Sequence, residues 1–264
     1  MKKSIWIFPF GQPVCKVIQT DRTQKKVFVL GVYASAVHAR WIGPDEKTLI
    51  RAIAVASEPE IFWRGENAQE IIKGITIPEG AGRIVPVAKN LNGPSGRALD
   101  KWYLKPLGLV REDAWLCDLV PHSCRNESQR IALKKNYDPK IDVLKLPAYK
   151  WEAVPSKLAD ESRQKEILNE IALASPSVII TLGDQPLKWF TSAIDSKTKS
   201  RLVDYGKSDT EYGLLHDISI GGHAMKLLPL VHPRQAGRLG GYSPEWAECH
   251  DKWVKSVAPG LLRG

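Results

Sequence analysis

The chain lacks any apolar run long enough to cross a membrane. A transmembrane helix needs roughly 18 to 20 consecutive apolar residues, and no stretch of the 264 residues approaches that length. Met1-Lys-Lys is followed by a short apolar stretch, Ile5–Phe8, which is too short for the core of a secretory signal peptide. We therefore predict a cytoplasmic protein that has no membrane partner.

Closely spaced metal ligands are also missing. The four cysteines contain no CxxC pair, and the six histidines contain no HxxxH or HExxH pattern. Zinc and iron–sulfur sites usually carry two ligands close together in the sequence, and a disulfide framework needs denser cysteines. We predict no metal and no other cofactor, and we interpret the cysteines as structural or incidental thiols in a reducing compartment.

Positive charge is in excess. Lys and Arg number 38 against 29 Asp and Glu, which leaves a formal net charge of +9. Such a balance is typical of proteins with a polyanionic partner, although a solvated basic surface that aids solubility explains the same number. The 43% hydrophobic content argues against disorder and is ample for a core.

Four apolar runs bounded by turn residues predict buried strands. They lie at residues 26–30, 114–119, 177–182 and 226–231. Helical patterns run from Ala159 to Leu173, follow Gly183, and start at Pro244 behind the N-cap candidate Ser243. This alternation predicts an α/β fold, a three-layer α/β/α sandwich with a central, mostly parallel four-stranded sheet.

Two long connections extend this scheme. We predict one domain over residues 1–264, with insertions at about 44–89 and 197–223. The first insertion contains runs at 50–56 and 69–75 that indicate an added strand and helix. The second is rich in Gly, Ser and Asp, and we interpret it as a mobile lid.

Polar residues follow the predicted strands, at the edge where α/β sheets bind ligands. The fourth strand leads into His232-Pro-Arg234-Gln235-Ala-Gly-Arg238, in which an imidazole donor precedes a basic loop suited to phosphates. The alternative is a capped histidine in an ordinary turn. The second strand carries Asp118, which either accepts from the amino group of a base or caps a neighbouring loop.

A glycine turn precedes a predicted helix that begins at Arg97. In Asn92-Gly-Pro-Ser95-Gly96, the pattern predicts backbone N–H groups and a Ser95 hydroxyl that bind a phosphate, or only a helix cap. The nine tryptophans are expected in the core, with one or two available to stack on a base.

In order along the chain, these pieces resemble the uracil-DNA glycosylase superfamily. The matching segments are Val27-Phe-Val-Leu-Gly31, Gly93-Pro-Ser-Gly96 through Gly108 to Asp118, Val178-Ile-Ile-Thr-Leu-Gly183, and Val231-His-Pro233. The resemblance covers roughly the whole chain apart from the two insertions. It implies a uracil-DNA glycosylase-like fold, a duplex or single-stranded DNA partner, and base excision by hydrolysis of the N-glycosidic bond of a flipped nucleotide.

The resemblance also implies roles for individual residues. His232 would donate to the pyrimidine O2, and Asp118 stands where the family usually has an Asn that reads uracil. Where the family has a water-holding Asp, Glu or Asn, the chain has Val32, Tyr33, Ala34 and Ser35, so Tyr33 and His38 remain as guesses for water activation. The predicted base pocket consists of Gly31, Val32, Ala34, Ser35, Leu91 and Asn92, with Leu91 in place of the usual stacking aromatic.

The resemblance further implies a DNA-binding surface made of Ser95, Gly96, Arg234, Gln235, Arg238 and Leu239. Cys124 falls near one cysteine of the cluster-bearing branches, but Cys15 has no close companion, so no iron–sulfur cluster is expected. We expect a monomer.

The identity of the excised base depends on the charge of Asp118. An ionised carboxylate only accepts hydrogen bonds, which favours the N4 amino group of a cytosine over uracil O4. The leading hypothesis is therefore a DNA glycosylase for a modified cytosine such as occurs in bacteriophage DNA, with a role in antiviral defence. The alternatives are a catalytically weak or inactive DNA-binding module and a uracil-repair enzyme with an unconventional water site.

Overall fold

The computed structural model describes residues 6–194, 199–208, 210–237, 239 and 243–262. Contacts within the chain divide it into two compact units. The first unit comprises Met1–Val17, Tyr33–Pro94 and Pro121–Ser156, and the second comprises Ile18–Val32, Ser95–Val120 and Lys157–Gly264. The predicted insertion at 44–89 belongs to the first unit and that at 197–223 to the second. The single-domain organisation stays a prediction.

The strands, in chain order, are β1 (Val27–Tyr33), β2 (Ala36–Ile42), β3 (Thr48–Ser57), β4 (Arg83–Pro86), β5 (Ala114–Val120), β6 (Val178–Leu182), β7 (His216–Ile220) and β8 (His223–Leu230). The α-helices are α1 (Ala68–Lys73), α2 (Pro94–Leu99), α3 (Glu127–Ala132), α4 (Glu161–Ala174), α5 (Asp184–Ala193) and α6 (Pro244–Ser256). Short 3-10 and π turns connect several of these elements.

The second unit is built on a sheet with the strand order β5-β1-β6-β8-β7. β6 pairs in parallel with both β1 and β8, while β7 pairs antiparallel with β8. An ion pair of 3.0 Å between Lys26 Nζ and Asp113 Oδ1 joins the residues that precede β1 and β5, so these two strands run in the same direction.

All four predicted strands are confirmed as neighbours in this sheet. The α/β class is confirmed as well, but the described residues form a five-stranded mixed sheet instead of a four-stranded one. The difference is β7, which lies in the predicted insertion at 197–223 and adds an antiparallel edge. Residues 197, 198 and 209 of that insertion lie outside the described residues.

Burial explains why these strands are continuous apolar runs. Every residue of β5 and β6 is buried, as are the first residues of β1, because parallel strands are covered on both faces. The predicted helices are confirmed as α4, α5 and α6. Asp160 caps α4 by accepting from the Arg163 backbone N–H at 2.8 Å. Ser243 stands at the N-cap of α6, but its side chain makes no capping bond with a described residue.

The first unit contains a three-stranded antiparallel sheet with the order β3-β2-β4. The added strand and helix predicted at 50–56 and 69–75 are confirmed as β3 and α1. An aromatic cluster in the core brings the Phe10 ring centroid within 5.5 Å of Trp41 and 5.4 Å of Tyr137. Neither β2 nor β4 was predicted.

Among the described residues, no helix combines the length and apolar character that crossing a bilayer requires. The same part of the chain holds no group of three or more His, Cys, Asp or Glu side chains arranged to bind a metal ion. All four cysteines are free thiols.

Candidate functional site

His232 stands just beyond the end of β8, against the end of β6. The Gly183 backbone N–H donates to Leu230 O at 2.7 Å, which draws the two strand ends together. Gly183 has φ +87° and ψ −177°, a region open almost only to glycine. A Cβ at this position would lie 2.9 Å from the His232 Cβ, so glycine is required for the approach.

The His232 ring is a half-buried hydrogen-bond donor. Its Nδ1 accepts from the Arg234 backbone N–H at 3.1 Å, so the neutral ring carries its proton on Nε2. Burial, helped by the positive charge of Arg234, lowers the pKa of His232 to about 4. Near neutral pH the residue therefore presents an uncharged Nε2–H donor.

The segment after His232 forms a compact turn. The backbone N–H groups of Gln235 and Ala236 donate to His232 O at 2.9 and 3.1 Å. Arg234 is exposed, whereas Gln235 and Leu239 are half-buried. The predicted DNA contact Arg238 lies outside the described residues.

Asp118 lies within β5, which continues for two residues beyond it. The residue is only 4% exposed. Burial raises the pKa of its carboxyl group to about 7, while the charge of Arg163 acts in the opposite direction. No described residue makes a hydrogen bond to this carboxyl group. Because its pKa is about 7, its charge state changes with pH around neutrality.

Arg163 of α4 ties the Asp118 main chain to its surroundings. One guanidinium nitrogen, Nη2, donates to Asp118 O at 2.7 Å and to Cys117 Sγ at 3.1 Å. The other, Nη1, donates to Glu166 and Glu170, each at 2.9 Å. Sequence reasoning missed this residue, although its i, i+3 and i+7 spacing with the two glutamates was a signal for ion pairs on one helix face.

Asp118 and His232 belong to the same unit, and both lie toward the carboxyl ends of the parallel strands of its sheet. Their strands, β5 and β8, run in the same direction, with β1 and β6 between them. At about 4.8 Å per strand, the two backbones are on the order of 14 Å apart. Gly31 is buried and Val32 half-buried within β1, which extends past its predicted end at Leu30. These two are therefore strand residues.

The glycine turn differs from its predicted form. Helix α2 already begins at Pro94, so Ser95 and Gly96 lie inside its first turn instead of before it. Arg111 Nη2 donates to Gly96 O at 3.4 Å. Gly93 has φ +66°, and a Cβ there would lie 2.0 Å from the Arg64 carbonyl carbon, which explains the glycine.

In the first unit, the structure brings His38 and Asn92 together. The Asn92 Oδ1 accepts from the His38 backbone N–H at 2.8 Å, and Asn92 Nδ2 donates to His38 O at 3.0 Å. The Asn92 amide therefore supports the β2 backbone. Burial lowers the pKa of His38 to about 4, and no described group bonds to its buried Nδ1.

The remaining predicted site residues of the first unit, which are the water-activation candidate Tyr33 and three pocket residues, differ in exposure. Ala34 is buried, Ser35 is half-buried, and Tyr33 and Leu91 are exposed. The Ser35 backbone N–H donates to Glu58 Oε1 at 3.0 Å, and Glu58 is itself buried. Glu58 was not predicted. It supplies a buried carboxylate to the segment 33–35, whose own sequence has none.

The tight approach at Gly183 leads to a stability prediction. We expect Gly183→Ala to lower the free energy of unfolding by about 1–3 kcal/mol, because it adds both backbone strain and a clash with His232. Gly108→Ala is the matched control, since Gly108 has φ +73° but no atom within 4 Å of the point that a Cβ would occupy. Urea titration of both variants measures the effect, and an equal loss would contradict the clash.

No protein-family model matches this chain, and no curated protein matches its sequence.

Proposed function

We propose that this protein is a DNA glycosylase that hydrolyses the N-glycosidic bond of a flipped, modified pyrimidine. A modified cytosine is the favoured base, and antiviral defence is the role that such a substrate suits. The observation that carries the proposal is the neutral Nε2–H donor of His232, which lies toward the same ends of the parallel strands as the buried Asp118 carboxyl group.

His232 is proposed to stabilise the leaving base. Breaking the glycosidic bond puts positive charge on the sugar and negative charge on the departing ring. A neutral imidazole that donates to the pyrimidine O2 strengthens its hydrogen bond as that charge develops, which is the selective stabilisation that catalysis needs. The low pKa of His232 keeps this donor uncharged throughout the neutral range.

Asp118 is proposed to select the base. As a carboxylate it accepts from a cytosine N4 amino group, and as a carboxylic acid it donates to uracil O4. A base whose hydrogen-bonding edge does not match the form of Asp118 is disfavoured by about 1–3 kcal/mol. Because the pKa of this group is about 7, both forms exist near neutrality. This observation also supports the alternative of uracil excision, at the lower end of the pH range.

We expect base preference to change with pH. Between about pH 6 and about pH 8, the ionised fraction of a group with this pKa rises from about one tenth to about nine tenths. The acid form that favours uracil falls about tenfold over this interval, and the carboxylate form that favours cytosine-type bases rises about tenfold. Excision of uracil should therefore fall about 100-fold relative to cytosine-type bases. The measurement is the rate of abasic-site formation in paired oligonucleotides that contain uracil, cytosine, or hydroxymethylated or glucosylated cytosine.

Asp118→Asn provides the control for this prediction. The amide cannot ionise, so the variant should prefer uracil at every pH tested and lose the pH dependence of the ratio. A wild-type preference that does not change with pH would contradict the selecting role of Asp118. His232 does not contribute to the pH dependence between about pH 6 and about pH 8, because its pKa of about 4 lies below this interval.

The inactive DNA-binding module remains as the second candidate. The observation that favours it is the segment 32–35, Val-Tyr-Ala-Ser, which has no side chain of the water-holding type. The same oligonucleotides separate the two functions. DNA binding without any alkali-labile site, on every modified base, would favour the module over the enzyme.

A further inference from the structure

The main chain at Val231, directly before His232, is held by side chains. β8 ends at Leu230, the last residue paired with β6, yet Val231 is still fully buried. Buried backbone groups need hydrogen-bond partners. The Val231 N–H donates to the Tyr212 hydroxyl at 3.0 Å, and the Tyr103 hydroxyl donates to Val231 O at 2.8 Å. Two tyrosine hydroxyls are therefore the hydrogen-bond partners of the Val231 N–H and C=O, in place of a neighbouring strand.

His250 of α6 stands behind Tyr212. The Tyr212 hydroxyl lies 2.9 Å from His250 Nδ1, and His250 Nε2 lies 3.0 Å from Trp102 O. A carbonyl oxygen only accepts, so Nε2 carries the proton of a neutral ring and Nδ1 accepts from the Tyr212 hydroxyl. The Tyr212 oxygen then remains free to accept from Val231. Each of these three hydrogen bonds therefore joins one donor to one acceptor.

We infer that Tyr212 and Tyr103, with His250 behind Tyr212, are positioning residues that aim the His232 ring at the substrate. This inference rests on the proposed function for its catalytic meaning. It gives part of the predicted insertion at 197–223 a role, since Tyr212 lies within it. His250 is fully buried, as is Tyr103, and Tyr212 is 2% exposed.

The geometry connects these residues to the His232 side chain through one peptide unit. Val231 C=O and the His232 backbone N belong to the same planar peptide unit. The hydrogen bond from Tyr103 therefore fixes the orientation of the peptide plane that leads into His232. Tyr212 fixes the preceding peptide unit through the Val231 N–H. On the other side, Gly183 limits the position of the His232 Cβ. Displacement by about 1 Å costs catalytic groups about 100-fold in rate.

Tyr212→Phe removes one hydroxyl and tests the inference. We expect kcat for base excision to fall about 10- to 100-fold while KM for the DNA stays unchanged, because the substrate-binding surface is not altered. Tyr205→Phe is the matched control. Tyr205 is also buried, but its hydroxyl bonds to Lys199 N and O, each at 3.1 Å, instead of to Val231. An equal kcat for Tyr212→Phe and wild type, or equal losses in both variants, would overturn the inference.

A second measurement does not depend on activity. Nitrogen-15 NMR of the histidine rings reports the tautomer and the pKa of His232. In Tyr212→Phe we expect the pKa of His232 to rise from about 4 toward its ordinary value of 6.5, because a displaced ring becomes more hydrated. Tyr205→Phe should leave the His232 signals unchanged.

These two measurements separate the possible failures. A wild-type protein without glycosylase activity overturns the proposed function, while the NMR comparison still tests whether Tyr212 positions His232. Unchanged His232 signals in a folded Tyr212→Phe variant overturn the positioning role. If Tyr212→Phe does not fold, Tyr103→Phe, which removes the bond to Val231 O, takes its place with the same expected results.

Discussion

His232→Ala is expected to lower kcat for base excision by about 100- to 1,000-fold, the usual effect of removing one donor that stabilises a developing negative charge. The reason is the neutral Nε2–H of His232, which is fixed as a donor because Nδ1 accepts from Arg234 N. Single-turnover formation of alkali-labile abasic sites measures the chemical step directly.

His223→Ala is the control for this substitution. His223 begins β8, at the opposite end of the strand from His232, and is exposed. The control variant should change kcat little, and neither variant should lose affinity for DNA in a binding titration. Equal activity of His232→Ala and wild type would remove His232 from the chemistry.

Arg163→Met is expected to lower the free energy of unfolding by about 3–5 kcal/mol, because removing one partner of a buried ion pair leaves the other charge without compensation. Arg163 and Glu170 are 7% and 5% exposed. After the substitution, the buried Glu170 carboxylate still accepts from Trp115 Nε1 at 2.9 Å, but this neutral donor does not replace the lost charge. Urea titration, with the slope held comparable between proteins, measures the loss.

Arg130→Met is the matched control for stability. Arg130 pairs with Glu127 on the surface of α3 with both side chains exposed, so its loss should cost less than about 1 kcal/mol. A similarly small loss for Arg163→Met would contradict the structural role of the buried pair.

Arg163→Met should also change the chemistry of Asp118. The positive charge of Arg163 lowers the pKa of the Asp118 carboxyl group, so removing it raises that pKa further above its ordinary range. The pH at which preference passes from uracil to cytosine-type bases should therefore move upward in this variant. A switch that stays at the wild-type pH would show that Arg163 does not control the Asp118 charge.

Much of the second unit was predictable from local patterns. β1, β5, β6 and β8 are short apolar runs because parallel strands bury both faces, and turn residues bound each run. Ser243 marked the start of α6 because short polar side chains favour N-cap positions. The sheet edge that carries Asp118 and His232 followed from the order of these elements.

Other elements had weaker signals. β7 was missed because an edge strand alternates between polar and apolar residues over only His216–Ile220. The two-residue Gly221-Gly222 turn, with φ +58° and +85°, is nevertheless a pattern typical of a hairpin. In the first unit, β2 was missed because it follows β1 after only two residues, so no longer connection separates the two strands in the sequence.

In the second unit, the sequence by itself determined the four buried parallel strands and the polar residues that lie near their ends. The tertiary structure alone decided the pKa of Asp118, because desolvation and an arginine 45 residues away act on it together. It also decided what holds Val231, through hydroxyls 19 and 128 residues distant. Burial and hydrogen bonding depend on neighbours in space, which local sequence patterns do not specify.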